Sequence, residues 1–247
     1  VAEHGGTPVN AMDRVYTFDT RAEASAYAAG ALSTALAQGT LEHGTASFMG
    51  SGGSSPSQVY AHLSRTRLKW SNIKVGLVDE RWVAPNDLAS NERLLREHLL
   101  VGQAASAQFL PMKSENALPL DGAKKANDSY QRGAPTPYTG VLLGMGPDGH
   151  TASWFPNADG LTEALDADGT AHVLAIDATG APVAGDHPHR LTLTLAALKS
   201  TRTAILLCFG EEKRGVLENA LKGKTPDLPV SYAIEALGDR LSILWAP

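Results

Sequence analysis

The chain has 247 residues, 43% hydrophobic and 19% charged, with a formal net charge of −5. That length supports a large core, and the composition is that of a globular protein rather than a disordered or fibrous one. No run of Lys or Arg exceeds two residues, which argues against a nucleic-acid surface but leaves room for a small basic pocket. No segment approaches the roughly 20 apolar residues of a membrane span.

Residues 1–13 show no periodicity and read as a loose arm, polar and without an apolar signal region, so a cytoplasmic protein is expected. Val15–Phe18 suits a short edge strand. Asp19 or Thr20 can cap a long Ala-rich helix through about Gln38, with Gly39 and Gly44 bracketing its end. Thr45–Met49 is a short apolar strand, followed by Gly50-Ser51-Gly52-Gly53-Ser54-Ser55-Pro56 and a helix from Pro56 to about Arg65. Strand, Gly/Ser loop and helix N-terminus together make a recipe for an anion site, with backbone N–H groups, hydroxyls and the helix dipole converging. No Gly-Lys-Ser/Thr follows, so this is not a nucleotide P-loop, and the dinucleotide glycine spacing is absent.

Lys74–Val78 is the next strand and ends in Asp79-Glu80-Arg81-Trp82, a charged turn. Ser90 or Asn91 can cap a helix over Glu92–Leu100, whose leucines and charges fall on opposite faces. Residues 102–121 follow an irregular path, and Ala123–Arg132 fits a helix. Val141-Leu142-Leu143 is an apolar run too short for a helix, halted by Gly144-Met145-Gly146-Pro147-Asp148-Gly149-His150, a strand leading into a tight turn. Thr151–Phe155 suits the start of a helix, interrupted at Pro156. Residues 157–170 read as loop, His172–Ile176 as strand and 178–189 as loop. Arg190–Leu195 alternates like a strand, yet its leucines also match helical spacing. Ala204–Phe209 is an apolar strand carrying Cys208, the single cysteine, which is expected to be a buried structural thiol. A helix from Gly210-Glu211-Glu212-Lys213 through Leu221, a last helix from Pro229 and a strand at Leu241–Trp245 complete the chain.

This alternation predicts an α/β protein: an open, mostly parallel sheet covered by helices on both faces, in one domain over residues 14–247. Ligands of such sheets bind beyond the carboxyl ends of the strands. Four polar clusters fall there: Gly50–Ser55, Asp79–Arg81, Asp148–His150 and Gly210–Lys213. Gathered at one edge, they offer an anion cradle, two cations in Arg81 and Lys213, and a His flanked by carboxylates. Such a site suits a small phosphorylated metabolite. His150 can act as a general base if a carboxylate orients it, with Asp148 or Asp79 as that partner. Ser153 lacks the Gly-x-Ser-x-Gly elbow of a hydrolase nucleophile. His187-x-His189 reads as surface rather than metal site, and no metal is expected.

The series Ser51–Pro56, Asp79-Glu80-Arg81, Ser90-Asn91, Gly144–Ser153, Arg190–Thr194 and Gly210-x-x-Lys213 resembles the 6-phosphogluconolactonase family over at least residues 45–220. Trp154 stands where that family usually has Leu, and Gly50 where an apolar residue is usual. The resemblance implies the open α/β fold shared with glucosamine-6-phosphate deaminases and the hydrolysis of a 6-phosphorylated sugar lactone without a cofactor. It further implies that His150 activates water and then protonates the ring oxygen, while Asp148 orients the imidazole. Gly52, Gly53, Ser54 and Ser55, with Lys213 and Arg190, would hold the 6-phosphate, and Asp79 would line the same site. Arg81 would face the lactone or phosphate and stabilise developing negative charge. The expected partner is a small phosphorylated sugar lactone, and the expected assembly a monomer or weak homodimer.

Two rival readings follow from the same fold. A deaminase or isomerase would carry Glu five residues after the His, where this chain has Phe155, and Tyr where it has Arg81. A non-catalytic sugar-phosphate sensor would have no need of both His150 and Asp148.

Overall fold

The computed structural model describes residues 14–247, so the expected arm at 1–13 lies outside the described residues. The chain opens with β1 (Val15–Thr17) and α1 (Arg21–His43). Thr20 caps α1 through a reciprocal capping box with Glu23, and Gly44 closes the helix at φ 73°. The helix therefore runs past its expected end near Gln38. Gly39 is not a stop: a β-carbon there would meet Thr139 Cγ2 at 2.7 Å, so the glycine lets helix and neighbouring chain touch.

Next come β2 (Ala46–Gly50), α2 (Ser57–Leu63), β3 (Ile73–Leu77), β4 (Asp79–Arg81), α3 (Asn91–His98), β5 (Gln108–Phe109) and α4 (Pro119–Gly133). The second half contains β6 (Gly140–Gly144), α5 (Leu161–Ala164), β7 (Val173–Asp177), β8 (His189–Leu193), α6 (Leu195–Leu198), β9 (Thr203–Phe209), α7 (Glu211–Ala220), α8 (Val230–Leu237) and β10 (Leu241–Ala246).

Seven strands form one sheet in the order β1-β10-β9-β6-β2-β3-β5, and every pairing in it is parallel. Its central strands are buried almost end to end, which is why they appear in the sequence as unbroken apolar runs rather than alternating ones. α1 packs on β2, β6, β9 and β10, and α7 on β9.

A second sheet of three antiparallel strands, β4-β8-β7, departs from the single sheet expected. Asp79–Arg81 is thus not a charged turn but a strand paired with Arg190–Thr192. The ambiguous stretch 190–198 is both things in succession, with β8 followed at once by α6. Thr151–Phe155 starts no helix, and the loop at 157–170 contains the short α5. Leu191 and Val173 of the small sheet lie in the same buried cluster as Leu142 and Leu206 of the large one. Among the described residues no helix is long and apolar enough to cross a membrane.

Candidate active site

The loops after β2, β6 and β9 open at the carboxyl edge of the parallel sheet. There they meet β4 and β8 around a cavity of about 270 Å³. His150, Arg81, Gly52, Gly53, Ser54, Ser55, Asp79, Arg190 and Lys213 all line it. Asp148, expected beside them, stands one layer back, behind His150.

The turn after β6 sets the geometry of that pair. His150 Nδ1 lies 2.6 Å from Asp148 Oδ1, and the same oxygen accepts from the His150 backbone N–H at 3.2 Å. Asp148, not Asp79, is therefore the carboxylate on His150. A β-carbon on Gly146 would fall 2.1 Å from His150 Cε1 and 2.8 Å from Asp148 Oδ1, so only glycine leaves room for the pair. Gly149 adopts φ 77°, the left-handed region that glycine enters without strain. Burial acts to raise the Asp148 pKa, but the hydrogen bonds and charge of His150 outweigh it and hold the carboxyl below its ordinary range. The carboxylate is thus an acceptor at neutral pH. In the neutral imidazole this contact puts the proton on Nδ1 and leaves Nε2 as the acceptor.

The loop after β2 reverses at Gly53, with φ 90°, and delivers Ser54, Ser55 and Pro56 to the first turn of α2. No side chain caps that helix, so its first amides remain available to an anion. Lys213 reaches the cavity from the first turn of α7.

The small sheet supplies the rest. Arg81 Nη1 donates to Asn91 Oδ1 at 2.6 Å and to the Ala89 carbonyl at 2.9 Å. Asn91 in turn donates Nδ2 to the Asp79 carbonyl (2.8 Å) and to its Oδ1 (3.2 Å). Asp79 Oδ2 accepts from Ser153 Oγ at 2.7 Å, so Ser153 is a buried donor rather than a nucleophile. Arg190 is only 5% exposed; its Nε donates to the His187 carbonyl and its Nη2 to that of Ala184 at 3.1 Å. Burial pulls its pKa down to about 10, with nearby Asp79 acting in the opposite direction. Arg190 thus contributes charge beside the cavity, while two of its donors are engaged by backbone.

Three contributors were not assigned a role from sequence. Asn91 is one of two candidate caps of α3 by sequence, but Ser90 is the cap, and Asn91 is buried and accepts from Arg81. Glu80 accepts from the N–H groups of Arg81 (2.7 Å), Asn91 (2.8 Å) and Glu92 (2.8 Å) and from Ser90 Oγ (2.9 Å). It therefore fastens β4 to the N-terminus of α3. Phe155 lies with its ring centroid 4.3 Å from that of His150. In the sequence the Glu80 contact leaves only an acidic residue followed ten residues later by Ser-Asn, a pattern too common to identify it. Cys208 is buried, and burial pushes its thiol up to about 11, as expected of a structural cysteine. Among the described residues no group of three or more His, Cys, Asp or Glu is placed to hold a metal.

Comparison with known proteins places this geometry. The family model described as glucosamine-6-phosphate isomerases/6-phosphogluconolactonase matches residues 19–243. A 6-phosphogluconolactonase of Caulobacter vibrioides is 40% identical over 217 residues, 88% of each chain. One of Pseudomonas aeruginosa is 39% identical over 224 residues, 90% of this chain and 89% of its own. The crystal structure of a 6-phosphogluconolactonase from Shewanella baltica superposes with a TM-score of 0.86 at 35% identity, covering 94% of this chain and 97% of that one. The chain belongs to the glucosamine-6-phosphate isomerase/6-phosphogluconolactonase family.

Proposed function

We propose that this protein hydrolyses 6-phospho-D-glucono-1,5-lactone to 6-phospho-D-gluconate, using a water activated by His150. The observation that carries the reading is the 2.6 Å contact of His150 Nδ1 with a carboxylate, in a cavity that also holds an anion loop. The 6-phosphate rests on the Gly52–Ser55 loop and Lys213, with the charge of Arg190 beside it. His150 Nε2 takes a proton from water as its oxygen attacks the lactone carbonyl. Arg81, steadied by Asn91, faces the oxyanion that forms. As the tetrahedral adduct collapses, the bond from the carbonyl carbon to the ring oxygen breaks and the imidazolium returns its proton to that oxygen. The product is an open-chain acid. General-base assistance of this kind is worth roughly 10²–10⁴-fold, which suits an already labile acyl bond. No step calls for a cofactor.

Deaminase chemistry is disfavoured by Phe155, a buried hydrocarbon ring where that rival would place a carboxylate. Freshly prepared lactone, assayed by coupled oxidation of 6-phosphogluconate beside a glucosamine 6-phosphate control, tests the proposal. It predicts lactone turnover far above spontaneous hydrolysis and no ammonia from the amino sugar. Ammonia release, or a lactone rate equal to the blank, would contradict it.

A further inference from the structure

The Asp148 hydrogen bond and the close approach of Gly146 hold the Nδ1–Cε1 edge of the His150 imidazole, which leaves the plane of the ring to a further contact. A second restraint is present. The Phe155 ring lies 4.3 Å from the imidazole, centroid to centroid, with the planes 35° apart, a tilted ring contact. The same ring lies 5.4 Å from the Arg190 guanidinium carbon. Phe155 is 2% exposed and lines the cavity.

The residues just before Phe155 are riveted to the small sheet. Ser153 N–H donates to Thr192 Oγ1 at 3.2 Å, Ser153 Oγ to Asp79 Oδ2 at 2.7 Å, and Trp154 Nε1 to the Leu193 carbonyl at 2.8 Å. Thr151 Oγ1 ties the start of the segment to the Gly144 carbonyl at 2.8 Å. The ring is therefore fixed relative to β4 and β8 as well as to the turn that carries His150.

We infer that Phe155 is a positioning residue for His150: Asp148 sets the edge of the imidazole, and Phe155 sets its plane, so that Nε2 stays aimed into the cavity. This rests on the reading of His150 as the general base. The small antiparallel sheet then does more than wall the cleft, because it holds the base in line through one aromatic ring. A misplacement of about 1 Å in a catalytic group can reduce rate on the order of 10²-fold, so a partial loss of this restraint falls below that limit.

The test replaces the ring with two non-aromatic side chains of similar volume, Phe155→Leu and Phe155→Met, so that one serves if the other does not fold. Both are expected to lower kcat for the lactone about tenfold with KM within twofold, since neither touches the phosphate. The second readout needs no turnover. In side-chain NMR spectra, with His150 assigned by its loss in His150→Gln, the imidazole Cε1 and Cδ2 proton shifts are expected to carry the ring current of Phe155. They move toward the values of an imidazole without a stacked ring, and broaden, in the variants. Unchanged kcat, a change confined to KM, or imidazole signals identical to wild type would overturn the inference. Failure of the wild type to hydrolyse the lactone would instead remove the proposed function, and the imidazole spectrum would still decide the positioning role.

Discussion

A β-carbon on Gly52 would stand 1.8 Å from Asn91 Oδ1, so the first glycine of the anion loop touches the side chain that carries Arg81. The phosphate cradle and the proposed oxyanion group are therefore mechanically joined. Gly52→Ala must displace Asn91 and with it the 2.6 Å bond to Arg81. The expected result is a loss of kcat/KM on the order of 10²-fold, with folding retained. Steady-state kinetics beside a thermal melt checks this, and wild-type kinetics would mean that Asn91 and Arg81 do not act together.

Asp148→Asn leaves the turn intact but replaces an obligate acceptor with a side chain that can also donate to Nδ1. The imidazole is then free to take the other tautomer, with Nε2 protonated and unable to accept from water. A fall in kcat of about 10²–10⁴-fold is expected, with KM little changed, because Asp148 stands behind His150. A change mainly in KM would place Asp148 in substrate binding instead.

Lys213→Ala removes a cation from the phosphate end of the cavity. KM should rise at least about tenfold while kcat stays within a few-fold, the pattern of lost uniform binding. Inhibition by inorganic phosphate should weaken in parallel. An unchanged KM would remove Lys213 from the phosphate site.

Glu80 gives a pH signature of folding. Burial pushes its carboxyl up from the ordinary 4.5 to about 7, against four hydrogen bonds that act to lower it. A raised folded value means that the folded chain holds this proton more tightly than the unfolded one. The stability contributed is full below about pH 4.5 and is lost as pH rises through about 7. Glu80→Gln abolishes that dependence, and it also turns an amide donor toward N–H groups, at a cost of about 1–3 kcal/mol. Urea denaturation from pH 4.5 to 8 should therefore show the variant less stable at the acid end, with its gap to wild type narrowing as pH rises. A gap that widens with pH would contradict the assignment.

The legible parts of this molecule were those where local pattern and burial coincide. The runs in β2, β6 and β9 are apolar because both sheet faces are covered, and the glycine-rich turns after β2 and β6 are visible because positive φ demands glycine there. The small sheet was not legible. Asp79-Glu80-Arg81 has a loop's composition, and it is a strand because it pairs with Arg190–Thr192, more than a hundred residues further on, while the Glu80 carboxylate accepts from the amides of Asn91 and Glu92. Gly39 misled for a similar reason, since its contact is Thr139, a hundred residues away. In the site, His150, Asp148 and the anion loop could be read from spacing. Phe155 against the imidazole could not, because nothing local reports which ring face it meets.

The central claim is that His150 activates the attacking water. Its most direct measurement is turnover of fresh 6-phospho-D-glucono-1,5-lactone by His150→Ala, alongside 6-phosphogluconate binding to the same variant by calorimetry. The expected result is a kcat lowered by at least about 10²-fold with product affinity within a few-fold of wild type. Hydrolysis at the wild-type rate by a variant that still binds the product would contradict it.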